Sequence, residues 1–303
     1  KLAKFMNANF SKIMSSGYAA VQCALIAIGV SKGDKVTIPN IICPSVFHAI
    51  QSIGAIPHVI DVDKNTPNFS TEILLNYGVE KYCLVPNMFG LKAQIDKSYF
   101  PNTKFIEDNA QCFSPNRSLW ADISVYSFSP TKLFTVGYGG AIVSNFLNHM
   151  ERVDAFLDCD YQDEDGHSTV LDLPFRIHAD ITDFQAAMLI EQLERYPNIV
   201  EYRNKIYSLY DEGLNLKRLN PEVPFRYQIL LDTANAKEIA SLIRQGGVSV
   251  VPLSSYLLSD LFNLEGEFQN SNWWKNYTIS LPVHDAIRKE EVIYIIRMVK
   301  KYI

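Results

Sequence analysis

No stretch of the 303-residue sequence approaches the roughly 20 consecutive apolar residues that a membrane-spanning helix needs. Its opening residues lack the layout of a secretory leader, and the sequence starts at Lys1 rather than Met, as a trimmed or partial chain does. Cysteine is sparse. Cys23, Cys43, Cys83, Cys112 and Cys159 are odd in number and show no metal-ligand spacing, which argues against a disulfide framework and against a zinc site. Most lie in apolar segments, so reduced, buried thiols and a cytoplasmic location are expected. Basic charge is short as well: 28 Lys and Arg against 33 Asp and Glu leave a net charge of -5, with no basic patch for nucleic acid. Internal repeats and low-complexity tracts are absent. What remains is a chain that is 48% hydrophobic, enough for one large globular unit or two domains.

Short apolar runs alternate with helical patterns through the first half. Lys35–Pro39, Pro57–Asp61, Lys81–Pro86 and Lys104–Asp108 read as strands. Ala19–Ile28, Pro44–Ser52 and Thr71–Tyr77 read as helices between them. This alternation predicts a mostly parallel sheet flanked by helices, with ligands outside the carboxyl ends of the strands. An acidic, irregular stretch, Asp158–Leu173, reads as a solvated surface loop. Ile181–Tyr196 is an amphipathic helix that continues after Pro197 into Ile199–Leu214. The remainder reads as α+β: a strand Phe225–Leu231, a helix Ala236–Arg244, a strand Val248–Pro252 and a last helix Lys289–Tyr302. A large domain over residues 1–205 and a small C-terminal domain over 206–303 are expected.

The run from Asp122 to Gly140 organises the candidate site. It opens as a strand (Ile123, Val125, Tyr126, Phe128), turns at Pro130, presents Lys132 and passes through Gly137, Gly139 and Gly140 into a second strand, Ala141–Ser144. An ammonium at the end of a buried strand is costly to desolvate, and desolvation favours the free amine that Schiff-base chemistry uses. Ser15–Ala20 opens a helix, where backbone N–H groups suit a phosphate or simply follow a serine cap. Asp108 follows a buried run and needs a cation or several donors, as a local cap or as the partner of a protonated ring nitrogen. Gln111 follows within one turn. Ser127 either donates to the phosphate or packs as a small strand residue. Asp108 and Lys132 each follow a strand and so are expected on one rim.

Read together, Ser16–Ala20 (Ser-Gly-Tyr-Ala-Ala), Glu107–Gln111 (Glu-Asp-Asn-Ala-Gln), Ser127–Lys132 (Ser-Phe-Ser-Pro-Thr-Lys) and Gly137–Asn145 come in an order that resembles the DegT/StrS-type sugar aminotransferases. Asp183–Glu194 and Ile279–His284 extend the resemblance over nearly the whole chain. It implies an α/β, aspartate-aminotransferase-like architecture (fold type I of the pyridoxal-phosphate enzymes) with a small C-terminal α+β domain. It further implies pyridoxal 5'-phosphate as cofactor, with pyridoxamine phosphate as its aminated form. Lys132 would hold the cofactor covalently. Asp108 would pair with its ring nitrogen, Gln111 would contact its phenolic oxygen side, and Gly17, Tyr18, Ala19 and Ser127 would hold its phosphate.

The implied reaction moves an amino group from an amino acid, glutamate, to a nucleotide-linked keto sugar, in a homodimer with shared active sites. A related dehydratase branch has His at the lysine position, so Lys132 argues against it. Departures from the family pattern are Tyr18 for a threonine, Cys43 where many members stack an aromatic residue on the ring, and His178 and Asp180 where the neighbouring subunit commonly supplies Asn and Arg, with Arg176 close by. A His-Tyr pair is replaced by Val250–Ser254, and the sequence opens nearer its first motif than most members do. These departures motivate two alternatives: a catalytically degenerate scaffold or regulatory member, and a transaminase of a non-sugar keto substrate. His48 and His58 read as core-edge residues. Trp273 and Trp274 read as small-domain packing or as the wall of a nucleotide pocket.

Overall fold

The computed structural model describes residues 1–115, 118–157, 176–253 and 256–303. The expected acidic loop Asp158–Leu173, Cys159 and Ser254 lie outside the described residues. Seven strands form the main sheet: β1 (Phe10–Met14), β2 (Lys35–Pro39), β3 (Ile56–Ile60), β4 (Tyr82–Pro86), β5 (Lys104–Asp108), β6 (Ile123–Ser127) and β7 (Gly140–Ser144). Their order is β1-β7-β6-β5-β4-β2-β3, parallel throughout except that β7 runs against both neighbours. The helices of this half are α1 (Leu2–Phe5), α2 (Gly17–Ile28), α3 (Pro44–Ser52), α4 (Thr71–Tyr77) and α5 (Leu147–Leu157). A thirty-two-residue helix, α6 (Asp183–Leu214), follows. The chain then builds an antiparallel sheet of β8 (Tyr227–Leu230), β9 (Val251–Pro252) and β10 (Thr278–Leu281) in the order β8-β10-β9. It is accompanied by α7 (Ala236–Gln245), α8 (Leu258–Phe262), α9 (Gln269–Tyr277) and α10 (Lys289–Tyr302). The expected mostly parallel sheet flanked by helices is therefore present. No helix among the described residues is long and apolar enough to cross a membrane.

Helix α2 is the inner pillar. Every residue from Ala19 to Ile28 is buried, because the helix is covered by the sheet on one side and by α3 and α5 on the other. Small residues (Ala20, Cys23, Ala24, Ala27) let it approach its neighbours, and Leu25, Ile26 and Ile28 fill the gaps. Its carboxyl end is tied down by three side chains: Arg152 Nε donates to Ile26 O at 3.0 Å, Lys104 Nζ to Ile28 O at 2.7 Å and Tyr82 Oη to Gly29 O at 2.7 Å. Two of these are cations at the negative end of the helix dipole. Gly29 closes the helix at φ 92°, a left-handed cap that glycine adopts freely.

The two sequence segments around Pro197 form one helix, opened by a capping box in which Gln185 N donates to Thr182 Oγ1 and Thr182 N to Gln185 Oε1. Its first half (Leu189, Leu193, Tyr196, Ile199) packs with Phe113, Phe128 and Phe134, and its second half (Ile206, Tyr207, Tyr210, Leu214) with the three-stranded sheet. At the change-over sits Arg203, only 3% exposed. Its Nη1 donates to Pro224 O (3.3 Å), Phe225 O (3.2 Å) and Val283 O (2.9 Å), and its Nη2 to Leu133 O (3.2 Å). One guanidinium thus ties the loop after Lys132 to two segments of the C-terminal half. Burial pulls its pKa down to about 10, yet it remains a cation at neutral pH. Replacing it with Met removes all four hydrogen bonds, and each buried acceptor left unsatisfied costs about 1–3 kcal/mol. Arg203→Met is expected to lower unfolding free energy by at least about 2 kcal/mol in urea melts; an unchanged midpoint would mean the carbonyls find other donors.

Candidate active site

The rim is set by strand register. Asp108 ends β5 opposite Val125, and Ser127 ends β6 opposite Gly140. Gly140 also faces Met14, the last residue of β1. Because β7 is antiparallel, its start lies at the same edge as the ends of β1, β5 and β6. The residues that follow β1, Ser15 and Ser16, therefore reach the rim just as α2 begins. A Cβ on Gly140 would lie 2.3 Å from Ser16 O, and one on Gly17 would lie 2.8 Å from both Cβ and Oγ of Ser127. Only glycine permits this approach. Ser16 caps the helix through Ala19 N at 3.1 Å, so the Ala19 N–H is already engaged. The N–H groups of Gly17 and Tyr18 remain at the positive end of the helix, beside the Ser127 hydroxyl. Tyr18 is 36% exposed, and its hydroxyl makes only a long 3.5 Å contact with His48 O.

Lys132 is held by its flanks. Lys132 N donates to Ser129 O (3.0 Å), Val136 N to Phe128 O (3.1 Å) and Phe128 N to Gly139 O (2.8 Å). Leu133 and Phe134 are buried, and the Phe134 ring stacks on Phe128 with centroids 5.5 Å apart. The loop is pinned on both sides of the lysine, which is itself only half-buried rather than fully desolvated. Gly137 takes φ 84° to turn the chain back into β7.

Asp108 lies deep. Its carboxylate accepts from Ala110 N at 2.9 Å. Burial pushes its pKa up, while the Ala110 N–H and the nearby Lys132 charge pull the other way. Behind it, Asn87 Nδ2 donates to Glu107 Oε1 (2.9 Å) and to Asn109 Oδ1 (2.7 Å), and Trp120 Nε1 donates to Glu107 Oε1 (2.7 Å). This network fixes the residues on either side of Asp108. Gln111 accepts from Phe89 N at 2.8 Å through Oε1, which turns its amide NH2 into the remaining donor. Phe89 holds a left-handed φ of 61°, an arrangement that costs a bulky residue about 1–3 kcal/mol.

Lys132, Gln111 and Cys43 line one cavity of about 530 Å³, and Ser127, Gln111 and Lys132 line a crevice next to it. Cys43 is exposed at the cavity, unlike the buried Cys23, Cys83 and Cys112, and Ser45 Oγ donates to its sulfur at 3.0 Å. The expectation of buried thiols thus fails for Cys43, because the start of α3 forms a cavity wall. His178 is exposed, like Asp180, on the segment before α6. That segment passes the rim, since Ser15 N donates to Ala179 O at 2.6 Å, but His178 does not line the cavity of its own chain. Trp274 is buried and donates to Asp63 O at 2.9 Å; Trp273 is exposed and stacks on Tyr277. Neither lines the cavity.

Sequence reading missed Arg203, Arg226, Phe89 and Tyr256, and gave His284 no site role although it ends the Ile279–His284 motif; all five line the cavity. Arg203 had one available signal: a charge at a position where the apolar spacing of Ile199, Ile206 and Tyr210 calls for a hydrophobe. Arg226, Phe89 and Tyr256 come from chain segments distant in sequence and carry no local pattern. Chemically the site combines an anion cradle, a buried acid that favours a cationic partner and a primary amine on a cavity wall. These features fit a phosphorylated ligand with a basic ring nitrogen and a carbonyl.

The family model described as the DegT/DnrJ/EryC1/StrS aminotransferase family matches residues 1–300. The chain is 23% identical to GDP-perosamine synthase of Escherichia coli O157:H7, covering 100% of the chain and 88% of that protein. It is 26% identical to the UDP-2-acetamido-2-deoxy-3-oxo-D-glucuronate aminotransferase of Pseudomonas aeruginosa, covering 82% of the chain and 73% of the relative. Spr1654 of Streptococcus pneumoniae, solved in its PLP-form, superposes with a TM-score of 0.83 at 20% identity over 100% of the chain and 90% of its own length.

Two substitutions test the geometry. Gly17→Ala forces a shift at Ser127 and is expected to cost about 1–3 kcal/mol of stability while weakening phosphate-ester binding at least tenfold by equilibrium titration. Asp108→Asn has opposite effects on two readouts. The folded pKa of Asp108 stands above the ordinary 3.8, so the cofactor-free protein loses stability as pH rises from that value through the raised one. Asn removes that loss, so the empty variant should be the more stable in neutral urea melts, yet it should bind a protonated pyridine more weakly. A less stable empty variant would contradict the assignment.

Proposed function

Since the chain belongs to the DegT/DnrJ/EryC1/StrS aminotransferase family, an aminotransferase family whose cofactor is pyridoxal phosphate, we propose that it aminates a nucleotide-linked keto sugar at the expense of glutamate. The observation that carries the reading is that Lys132 lines both the main cavity and the adjoining crevice lined by Ser127, with the buried Asp108 within reach of its charge and Gly17 packed against Ser127. The relatives' names, which specify GDP- and UDP-linked sugars, support the acceptor class. Pyridoxal phosphate supplies an electron sink that lets a C–H bond next to nitrogen break.

The chain's own residues do the rest. The N–H groups of Gly17, Tyr18 and Ala19 and the Ser127 hydroxyl take the phosphate, with Ala19 sharing its N–H with Ser16. The Asp108 carboxylate would bind the ring nitrogen's cation, which would offset the cost of burying that acid alone. The Gln111 amide NH2, left free by the bond its Oε1 accepts from Phe89, would hold the ring oxygen, and Cys43 on the cavity wall would take the place of an aromatic. Lys132 Nζ would tether the cofactor and, once displaced by the donor's amine, would take the proton from the donor's α-carbon and later return a proton to the sugar carbon that receives nitrogen.

The functional unit in this reading is a homodimer. Tyr18, Tyr138 and Phe184 stand 36%, 69% and 74% exposed near the rim, surface that a second copy covers, with His178 reaching the neighbouring site. The change of core along α6 supports a domain boundary near residue 205. A cytoplasmic location follows from the soluble nucleotide-sugar chemistry proposed.

The test is transfer of ¹⁵N from glutamate to GDP- and UDP-linked keto sugars, followed by mass spectrometry. Labelled amino sugar is expected from the wild type and none from Lys132→Ala. Transfer only to keto acids would move the chain to non-sugar substrates, and undiminished transfer by Lys132→Ala would overturn the mechanism.

A further inference from the structure

The cavity that Lys132 lines is also lined by Arg203, Arg226 and His284, and by no Asp or Glu. The whole chain, in contrast, carries a net charge of -5. The two arginines differ in how their charge is met. Arg203 directs Nη1 and Nη2 at four backbone carbonyls, although its buried Nε has no partner among the described residues. Arg226 makes no side-chain hydrogen bond and no ion pair among the described residues. It sits just before β8, between Phe225 and the buried Tyr227, and burial pulls its pKa down. Arg203 grips the carbonyls of Pro224 and Phe225, the two residues that precede it, and the Tyr207 hydroxyl donates to the carbonyl of Arg226 itself. The backbone that carries Arg226 is therefore fixed, while its guanidinium has no protein partner among the described residues. A half-buried cation facing a cavity without a counter-charge is open to a ligand that brings one.

We propose that Arg226 is the specificity-determining residue that binds an oxygen anion of the substrate, a carboxylate or a phosphate, across the cavity from Lys132. The planar fork of donors suits either group bidentately. Arg203 serves as its positioning residue by holding the Pro224–Phe225 segment. This assignment rests on the aminotransferase reading, because the anion belongs to a substrate of that reaction.

The test uses cofactor-loaded protein and two probes that cannot react: glutarate, which carries carboxylates only, and uridine and guanosine diphosphates, which carry phosphates without a sugar. Binding is measured by calorimetry for wild type, Arg226→Gln and Arg226→Lys, each checked for equal cofactor loading and an unchanged melting midpoint. Arg226→Gln is expected to weaken one probe at least tenfold and leave the other within twofold, with Arg226→Lys recovering part of the loss. Loss confined to glutarate assigns the anion to the amino donor, and loss confined to the nucleotide assigns it to the acceptor. Wild-type-like binding of both probes by Arg226→Gln, or no binding of either by loaded wild type, overturns the inference while leaving the cofactor site intact. Failure of the wild type to load cofactor overturns the aminotransferase reading instead, and this inference with it.

Discussion

Everything at the rim depends on where helix α2 begins. A helix buried from Ala19 to Ile28 has no freedom to slide, because its small residues fit one depth against the sheet and its last carbonyls are held by Arg152, Lys104 and Tyr82. Fixing the carboxyl end fixes the amino end. That end meets Ser127 at a distance only Gly17 tolerates, and the antiparallel β7 brings Gly140 to the same point. Two parallel strand ends, one antiparallel start and one helix start thus meet in a space too tight for a side chain. The result is a set of backbone donors aimed outward, which is a built-in receptor for an anion.

The second constraint is charge. Asp108, Arg203 and Arg226 are all buried or largely so, and none has an opposite charge in ion-pair contact among the described residues. Each is met differently: Asp108 by one backbone N–H and a lysine nearby, Arg203 by carbonyls, Arg226 by nothing in the described protein. A fold that stabilised only itself would neutralise such groups or replace them with hydrophobes. The survival of Arg203 and Arg226 on one cavity wall, with Asp108 near the Lys132 of the same cavity, marks the site as unfinished without its ligands, and the strained Phe89 beside Gln111 has the same character. The cost of these groups is borne by the cores on either side, which share α6 and meet at Arg203.

Much of this was legible in the sequence, and the reasons are local. Strands Lys35–Pro39 and Lys104–Asp108 and helices Pro44–Ser52, Thr71–Tyr77 and Lys289–Tyr302 fall where the apolar pattern put them, since each is bounded by turn residues and has a clear period. Strand β1 went unread because it is a half-exposed edge strand with no alternation, stabilised by pairing with β7 rather than by its own composition. Strand β10 is fully buried but only four residues long, and its identity comes from lying between β8 and β9. Lys132, Asp108, Gln111 and Ser127 were readable because chemistry-bearing residues sit at strand ends. Arg226 and Tyr256 were not, because the far wall of the cavity is assembled from segments that only tertiary packing brings together.

The most direct measurement is the absorption spectrum of the protein mixed with pyridoxal phosphate, followed by borohydride reduction and peptide mapping. The account predicts a yellow, saturable band and a single reduced adduct on Lys132. No band, or adducts spread over surface lysines, would contradict it, because an intact cradle at Gly17 and Ser127 must deliver the carbonyl to that one amine.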